Sequence, residues 1–166
     1  MNSVISAAIP ERGRIMGVDY GAVRVGLAIC DADHIMASPL ETRTRKNPDL
    51  DALFFRQVIQ VEAIVGLVVG LPIHMNGDMS TEAEAAVRYG EWLHKLTGLP
   101  VAYHDERCTS SAAEDLLWAA GLSHKKRKER RDQLAAQFIL QSFLDTMKPP
   151  RTVLPDDEYA PDSEPA

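Results

Sequence analysis

Two rhythms of apolar residues run along the chain. Apolar runs at 14–19, 23–31 and 34–40 predict three strands, the last two joined at Asp31-Ala32-Asp33. Such short links between successive strands predict an antiparallel meander. Asn47-Pro48-Asp49 then opens a helix over roughly 50–61, with Leu50, Leu53, Phe54, Val58 and Val61 on its apolar face. Ile64 to Leu71 is unbroken apolar sequence, as expected of a strand covered on both faces. Pro72 to Gly77 is a loop, with Asn76-Gly77 as its turn signal.

Ser80 or Thr81 caps a second helix that Gly98 ends, and Val101 to Asp105 forms a fifth strand. Ser111-Ala112-Ala113-Glu114 is a capping-box pattern for a helix ending at Gly121. Residues 125–131 read as a loop or a frayed helix start, and 132–147 as the last helix. The order βββαβαβαα contains two β-α-β steps, so at least three strands pair in parallel beside an antiparallel hairpin. The expected fold is therefore α/β: a mixed five-stranded sheet flanked by helices. Residues 1–12 read as a flexible leader, 13–148 as one domain, and 149–166, after Pro149-Pro150, as a disordered acidic tail.

Within that frame the stretch GVDYGAVRVGLA stands out. An apolar strand delivers Asp19, turns at Gly21 and returns as a second strand. Gly21 is expected to supply a backbone conformation closed to residues with a Cβ, and Gly26 to leave room for something passing close by. Taken alone, Asp19 reads as a turn stabiliser. Its company changes that reading. In sheets of this kind sites form at the carboxyl ends of the parallel strands, where Asp19, Gly70-Leu71-Pro72 and Asp105-Glu106-Arg107 all fall.

Asp132, Ala136, Ile139, Phe143 and Met147 share one helical face, which turns Asp132 toward the sheet. By itself Asp132 reads as an N-cap, as a partner of Arg131 or Lys128, or as a third acid of a cluster. Three converging carboxylates repel one another unless a hard cation neutralises them. Mg²⁺ or Mn²⁺ suits that role, because it takes carboxylate and phosphate oxygens and retains waters.

Composition narrows the class. The 45% hydrophobic and 25% charged residues are ordinary for a soluble protein. Met1 to Pro10 does not read as a signal peptide, and the apolar run Ala63 to Leu71 is about half a membrane span, so a cytoplasmic protein is expected. Cys30 and Cys108 lack metal-ligand spacing and read as free thiols, buried or partly buried. The net charge of −6 speaks weakly against nucleic acid, but its distribution speaks for it. Residues 125–131 hold six of the 18 basic residues and one of the 24 acids, which leaves −11 on the remainder. Lys125, Lys126, Arg127 and Lys128 are the candidate polyanion contacts.

The segments GVDYGAVRVGLA, VVGLPIHMNG, DERCTSSAAE and KKRKERRDQLAAQFILQSFLD closely resemble the YqgF family, in the family's order, from about Arg14 to Asp145. These are RNase-H-like proteins, also called Holliday-junction resolvases or pre-16S rRNA nucleases. The resemblance implies an RNase-H-like fold and a divalent-metal endonuclease, a hydrolase of ester bonds, acting on structured RNA in 5′-end maturation of pre-16S rRNA. By motif position it makes Asp19, Glu106 and Asp132 the acidic, metal-holding triad. Side chains alternate along a strand, so only one of Asp105 and Glu106 readily faces the metals, and the resemblance favours Glu106. Cys30 and Cys108 depart from common family residues without touching the acids.

Arg24, Arg107 and Thr109 are weaker nucleic-acid-binding candidates, each with a plain structural alternative. His74 and Asn76 could touch nucleic acid from their loop, whereas His104 reads as a strand residue without a catalytic part. Ser110 and Ser111 lack a His-Asp arrangement for nucleophilic catalysis. The alternatives are resolution of branched DNA, a non-catalytic RNA-binding factor and an actin-like ATPase. The last pairs two such domains where 166 residues supply one. A monomer or weak dimer is expected, with a ribosomal precursor as the partner particle.

Overall fold

The computed structural model describes residues 8–74, 76–105 and 121–148. The strands are β1 (Arg14–Tyr20), β2 (Arg24–Cys30), β3 (Ala37–Thr44), β4 (Ile64–Leu71) and β5 (Val101–Asp105). The helices are α1 (Pro48–Val61), α2 (Thr81–Thr97) and α3 (His124–Met147). The strands form one sheet in the order β3-β2-β1-β4-β5. Pairing is antiparallel for β3-β2-β1 and parallel for β1-β4-β5, the mixed sheet expected from the element order. The predicted helix ending at Gly121 falls almost wholly outside the described residues. No helix among the described residues is long and apolar enough to cross a membrane.

Alternation along the strands splits the core into two layers. Met16, Val18, Val25, Leu27, Leu67 and Val69 face α1 and α2, and meet Phe55 and Leu93 there. Ile15, Ala28, Val68 and Ala102 face α3, which contributes Ala136, Ile139, Leu140 and Leu144. Ile9, in the stretch read as a leader, packs against the α3 layer too.

Several boundaries and faces differ from the sequence reading. The third strand is Ala37–Thr44, displaced from 34–40. The cause is Asp31, whose carboxylate accepts from the backbone N–H groups of Ile35 and Met36 at 2.9 and 2.7 Å and holds 31–36 as a turn. The strand then continues through the polar Glu41 to Thr44, as an edge strand can. On α1 the fully buried residues are Asp51 and Phe55; of the expected face Phe54 and Val58 pack against the core, while Leu50, Leu53 and Val61 are exposed. Asp51 is tolerated inside because both its oxygens accept from the N–H of Lys46, at 3.1 and 3.2 Å. Gly21 does not adopt positive φ; a Cβ there would instead come within 2.5 Å of the Arg24 carbonyl oxygen.

The basic segment is helical, not a loop. Ser123 caps α3, and its hydroxyl accepts from Lys126 N–H at 3.4 Å. The buried stripe of α3 is Ala136, Ile139, Leu140 and Leu144, rotated from the expected one so that Met147 is exposed.

Candidate nucleic-acid cleavage site

Gly17 and Gly26 set how α3 meets the sheet. A Cβ at Gly17 would lie 2.8 Å from both the Ala136 carbonyl oxygen and Leu140 Cβ. At Gly26 it would overlap the carbonyl group of Asp132 and come within 3.0 Å of its Cα. The helix backbone therefore rests on β2 at Asp132, the close passage that Gly26 suggested. Two glutamines on α3 fix the helix along the sheet. Gln141 Oε1 accepts from Ala37 N–H at 2.8 Å, and Gln137 Nε2 donates to the Ala37 carbonyl at 3.0 Å.

In the β1-β2 ladder Asp19 is the register partner of Gly26. Directly opposed residues of an antiparallel pair direct their side chains to the same face. Asp19 thus points to the α3 side at the spot where Asp132 crosses, and it is half-buried there. The backbone of Asp132 thus crosses the sheet beside Asp19, 113 positions away in sequence, at the carboxyl end of the central strand. Glu106 lies outside the described residues, as do Arg107 and Thr109. Asp105 is described. It is in register with Leu71, on the face that carries Tyr103 and the α1/α2 core, away from Asp19.

Arg24 lies two residues before Gly26 on the same face of β2. Its Nε donates to Asp132 Oδ2 at 2.8 Å, with the two side chains 25% and 18% exposed. The partner of Asp132 is this arginine, neither Arg131 nor Lys128, and the helix cap is Ser123. A cation held against one acid, beside a second, moderates the repulsion that two converging carboxylates would feel.

Lys125, Lys126, Arg127 and Lys128 occupy the start of α3, and all but the half-buried Arg127 are exposed. The first turn carries no acid, so these cations add to the positive end of the helix dipole instead of being offset by it. An anion is attracted there by both. Among the described residues no three His, Cys, Asp or Glu side chains gather as a metal cage. Asp19 and Asp132 are hard oxygen donors, however, and Mg²⁺ commonly takes only one or two protein carboxylates. The donor chemistry therefore fits a divalent ion.

The remaining candidates sit apart from the acids. Asn76 is engaged within its own loop, donating to Asp78 Oδ2 at 2.8 Å, and His74 N–H donates to the Asp78 carbonyl. His104 Nε2 and Ser142 Oγ lie 2.8 Å apart, and burial lowers the imidazole pKa. Cys30 is a free, buried thiol whose sulfur accepts from Ile15 N–H at 3.2 Å, and burial pushes its pKa up. Cys108 is outside the described residues. Sequence reasoning missed Gly17, Ser123 and the two glutamines. The serine three residues before Lys126 was a visible cap signal.

Comparison with known proteins places the chain in a family and a fold. A family model described as "RuvX: Holliday junction resolvase" matches residues 13–146. A protein of Rhodopirellula baltica named "Putative pre-16S rRNA nuclease" is 43% identical over 84% of this chain and 80% of its own length. A protein of Sphingopyxis alaskensis with the same name is 44% identical over 86% of this chain and 93% of its own. T. thermophilus RuvC, solved with a Holliday junction substrate, superposes with a TM-score of 0.51 at 15% identity, over 81% of this chain and 96% of RuvC. The Fowlpox virus resolvase, solved with Holliday junction DNA, gives 0.50 at 8% identity over 81% of this chain and 99% of the resolvase. These two likenesses establish the RNase-H-like fold. With the family match spanning most of its length, the chain belongs to the RuvX (YqgF) family.

Proposed function

We propose that the protein is a divalent-metal-dependent endonuclease that hydrolyses phosphodiesters of structured RNA in 5′-end maturation of pre-16S rRNA. The observation that carries this reading is the convergence of Asp19 and Asp132 across Gly26, directly downstream of a basic helix start. The relatives' names support the substrate.

Asp19 and Asp132 would hold the ion, with Glu106 as the third acid. Asp105, the alternative to Glu106, faces the other layer. A bound Mg²⁺ or Mn²⁺ supplies neutralisation of the phosphate and a more acidic water. Lys125, Lys126, Arg127 and Lys128 draw the sugar–phosphate backbone toward the acids. Arg24 orients Asp132 by its Nε bond and keeps its remaining guanidinium N–H groups for a phosphate. The site lies in the cytoplasm in this reading, where the ribosomal precursor is assembled.

The decisive experiment incubates the purified protein with precursor rRNA and with a four-way DNA junction, with and without Mg²⁺. Cutting of the RNA alone supports the proposal. Cutting of the junction alone replaces it with the resolvase reading, which the family description favours. Asp19→Asn, Glu106→Gln and Asp132→Asn should each abolish cleavage while RNA binding persists. Full activity in any of them removes that residue from the site.

A further inference from the structure

On the opposite face of the sheet, one residue beyond Asp19, Tyr20 opens a cavity of about 320 Å³ between the end of β3 and helices α1 and α2. That volume is in the range of small-molecule sites. Arg45, Lys46, Arg88, Tyr89 and Trp92 also line it. None of the three cations forms a salt bridge among the described residues. Asp51, the one acid in the wall, is already engaged by Lys46 N–H and lies 3.6 Å from Arg43.

Two polar atoms in this wall lack a partner. Tyr89 is only 8% exposed, and its hydroxyl bonds to nothing among the described residues. The Nε of Arg45 is likewise buried and unpaired. Arg45 is held by neutral groups alone: its Nη1 donates to Tyr20 Oη and the Ala22 carbonyl, both at 3.0 Å. Its guanidinium lies 5.1 and 5.4 Å from the ring centres of Tyr20 and Tyr89. Buried donors without partners are costly, and a site built to bond a ligand carries that cost when empty. Tyr20, Tyr89 and Trp92 form a continuous aromatic wall with centroid spacings of 4.8 and 5.3 Å.

We propose that this cavity binds a nucleotide unit, with the base against the Tyr89–Trp92 wall and the phosphate on Arg45, Lys46 and Arg88. Aromatic faces with flanking cations are the two halves of single-strand nucleotide recognition. The Arg45 guanidinium also offers the planar donor set that suits phosphate. The unit comes either from a free mononucleotide or from a nucleic-acid strand reaching around the sheet edge. The site shares no residue with the acidic cluster and does not depend on the nuclease reading.

The test is a Mg²⁺-free titration of the full chain with AMP, inorganic phosphate and a short oligouridylate. The Trp92 indole N–H resonance is followed, assigned with Trp118→Phe. Saturable displacement of the Trp92 signal by AMP is expected, weakened about tenfold by Arg88→Glu. Lys95→Glu, at the far end of α2, should leave AMP affinity unchanged. Tyr89→Phe removes a hydroxyl that bonds to nothing among the described residues, so it should keep the melting temperature while weakening AMP binding. Response to the oligonucleotide but not to AMP, with the same dependence on Arg88, identifies the strand as the source. Absence of both responses overturns the proposal, as does equal weakening by Lys95→Glu. Phosphate competing as well as AMP without moving Trp92 overturns the nucleotide assignment. AMP affinity unaltered in both Arg88→Glu and Tyr89→Phe does the same.

Discussion

Replacing Gly26 by alanine tests whether the seat of α3 on the sheet governs both stability and cleavage. The new Cβ would overlap the Asp132 carbonyl group and approach its Cα to 3.0 Å. Carbon atoms pack at about 3.5–4.0 Å, so α3 must lift by roughly 1 Å at this point. The obstacle is helix backbone, which no rotamer change can remove. Lifting the helix opens gaps around Ala136 and Leu140, which pack on Gly17 from the same side. Overpacking of this kind costs about 3 kcal/mol or more. For a chain of this size that is a fall in Tm of about 6–12 °C. Because the displaced atom belongs to Asp132, cleavage should also fall, by about 100-fold if placement within 1 Å matters as it does in other enzymes. Gly98→Ala is the control. Its φ is +71° with nothing within 4 Å of the new Cβ, so it costs about 1–2 kcal/mol from backbone strain alone and leaves cleavage intact. Urea unfolding and single-turnover cleavage of the two variants decide the matter. A Gly26→Ala protein no less stable than Gly98→Ala, with wild-type cleavage, would refute the close seat and the placement of Asp132 with it.

Three further outcomes are expected. Hydrogen bonds from the N–H groups of Met36, Ile35 and Asp33 hold the Asp31 carboxyl below its ordinary value. This stabilisation is therefore present above the unfolded carboxylate pKa and lost as pH falls through the lower, folded one; urea midpoints of Asp31→Asn should show a shallower acid limb below about pH 4. Arg24→Gln leaves Asp132 facing Asp19 without its cation, so it should lower Tm in EDTA, and millimolar Mg²⁺ should restore it more than it raises the wild type. An equal Mg²⁺ effect in both proteins would separate Arg24 from the ion site. Lys125→Gln, Lys126→Gln and Lys128→Gln together should reduce the slope of log K against log salt by about 2–3 in nucleic-acid binding. An unchanged slope would make the basic turn a merely solvated surface.

The sheet was legible because its central strands are continuous apolar runs, its hairpin links are too short for anything but antiparallel pairing, and its helix-bearing links bring β4 and β5 in parallel. The hairpin that presents Asp19 and the room left by Gly26 were readable for the same reason. The misreadings fall where a polar group replaces an apolar one at a buried or paired position. Residues 41–44 are an edge strand with a polar pattern, so the hydrophobic signal ended too early at 40. Asp51 occupies the inward face of α1, and counting apolar residues rotated that helix toward Leu50 and Leu53. At the site, Asp132 was legible as a polar member of an inward stripe. Its bond to Arg24 spans 108 positions and is encoded by no local period. The cavity beside Tyr20 draws on four elements, and only the spacing of Arg88, Tyr89 and Trp92 along α2 hinted at a shared face.

The start of α3 is locally frustrated in a way that points outward. Four cations follow Ser123 where the helix dipole is positive, and the first turn contains no acid to offset them. Each such cation opposes the dipole by about 0.3–1 kcal/mol at low salt. The helix forms nonetheless because the serine cap and the buried stripe from Ala136 to Leu144 outweigh that opposition. Further along the helix, Asp132 crosses the sheet beside Asp19, a second acid, and is paired there with Arg24. A sequence selected for stability alone would exchange these charges between the two ends. Departures from local consistency concentrate at functional sites. A metal-bearing polyanion would relieve both at once: its phosphates would satisfy the cations and a divalent ion accompanying them would satisfy the acids. That complementarity, running along one helix, is a stronger reason to read nucleic acid into this face than either charge cluster taken separately.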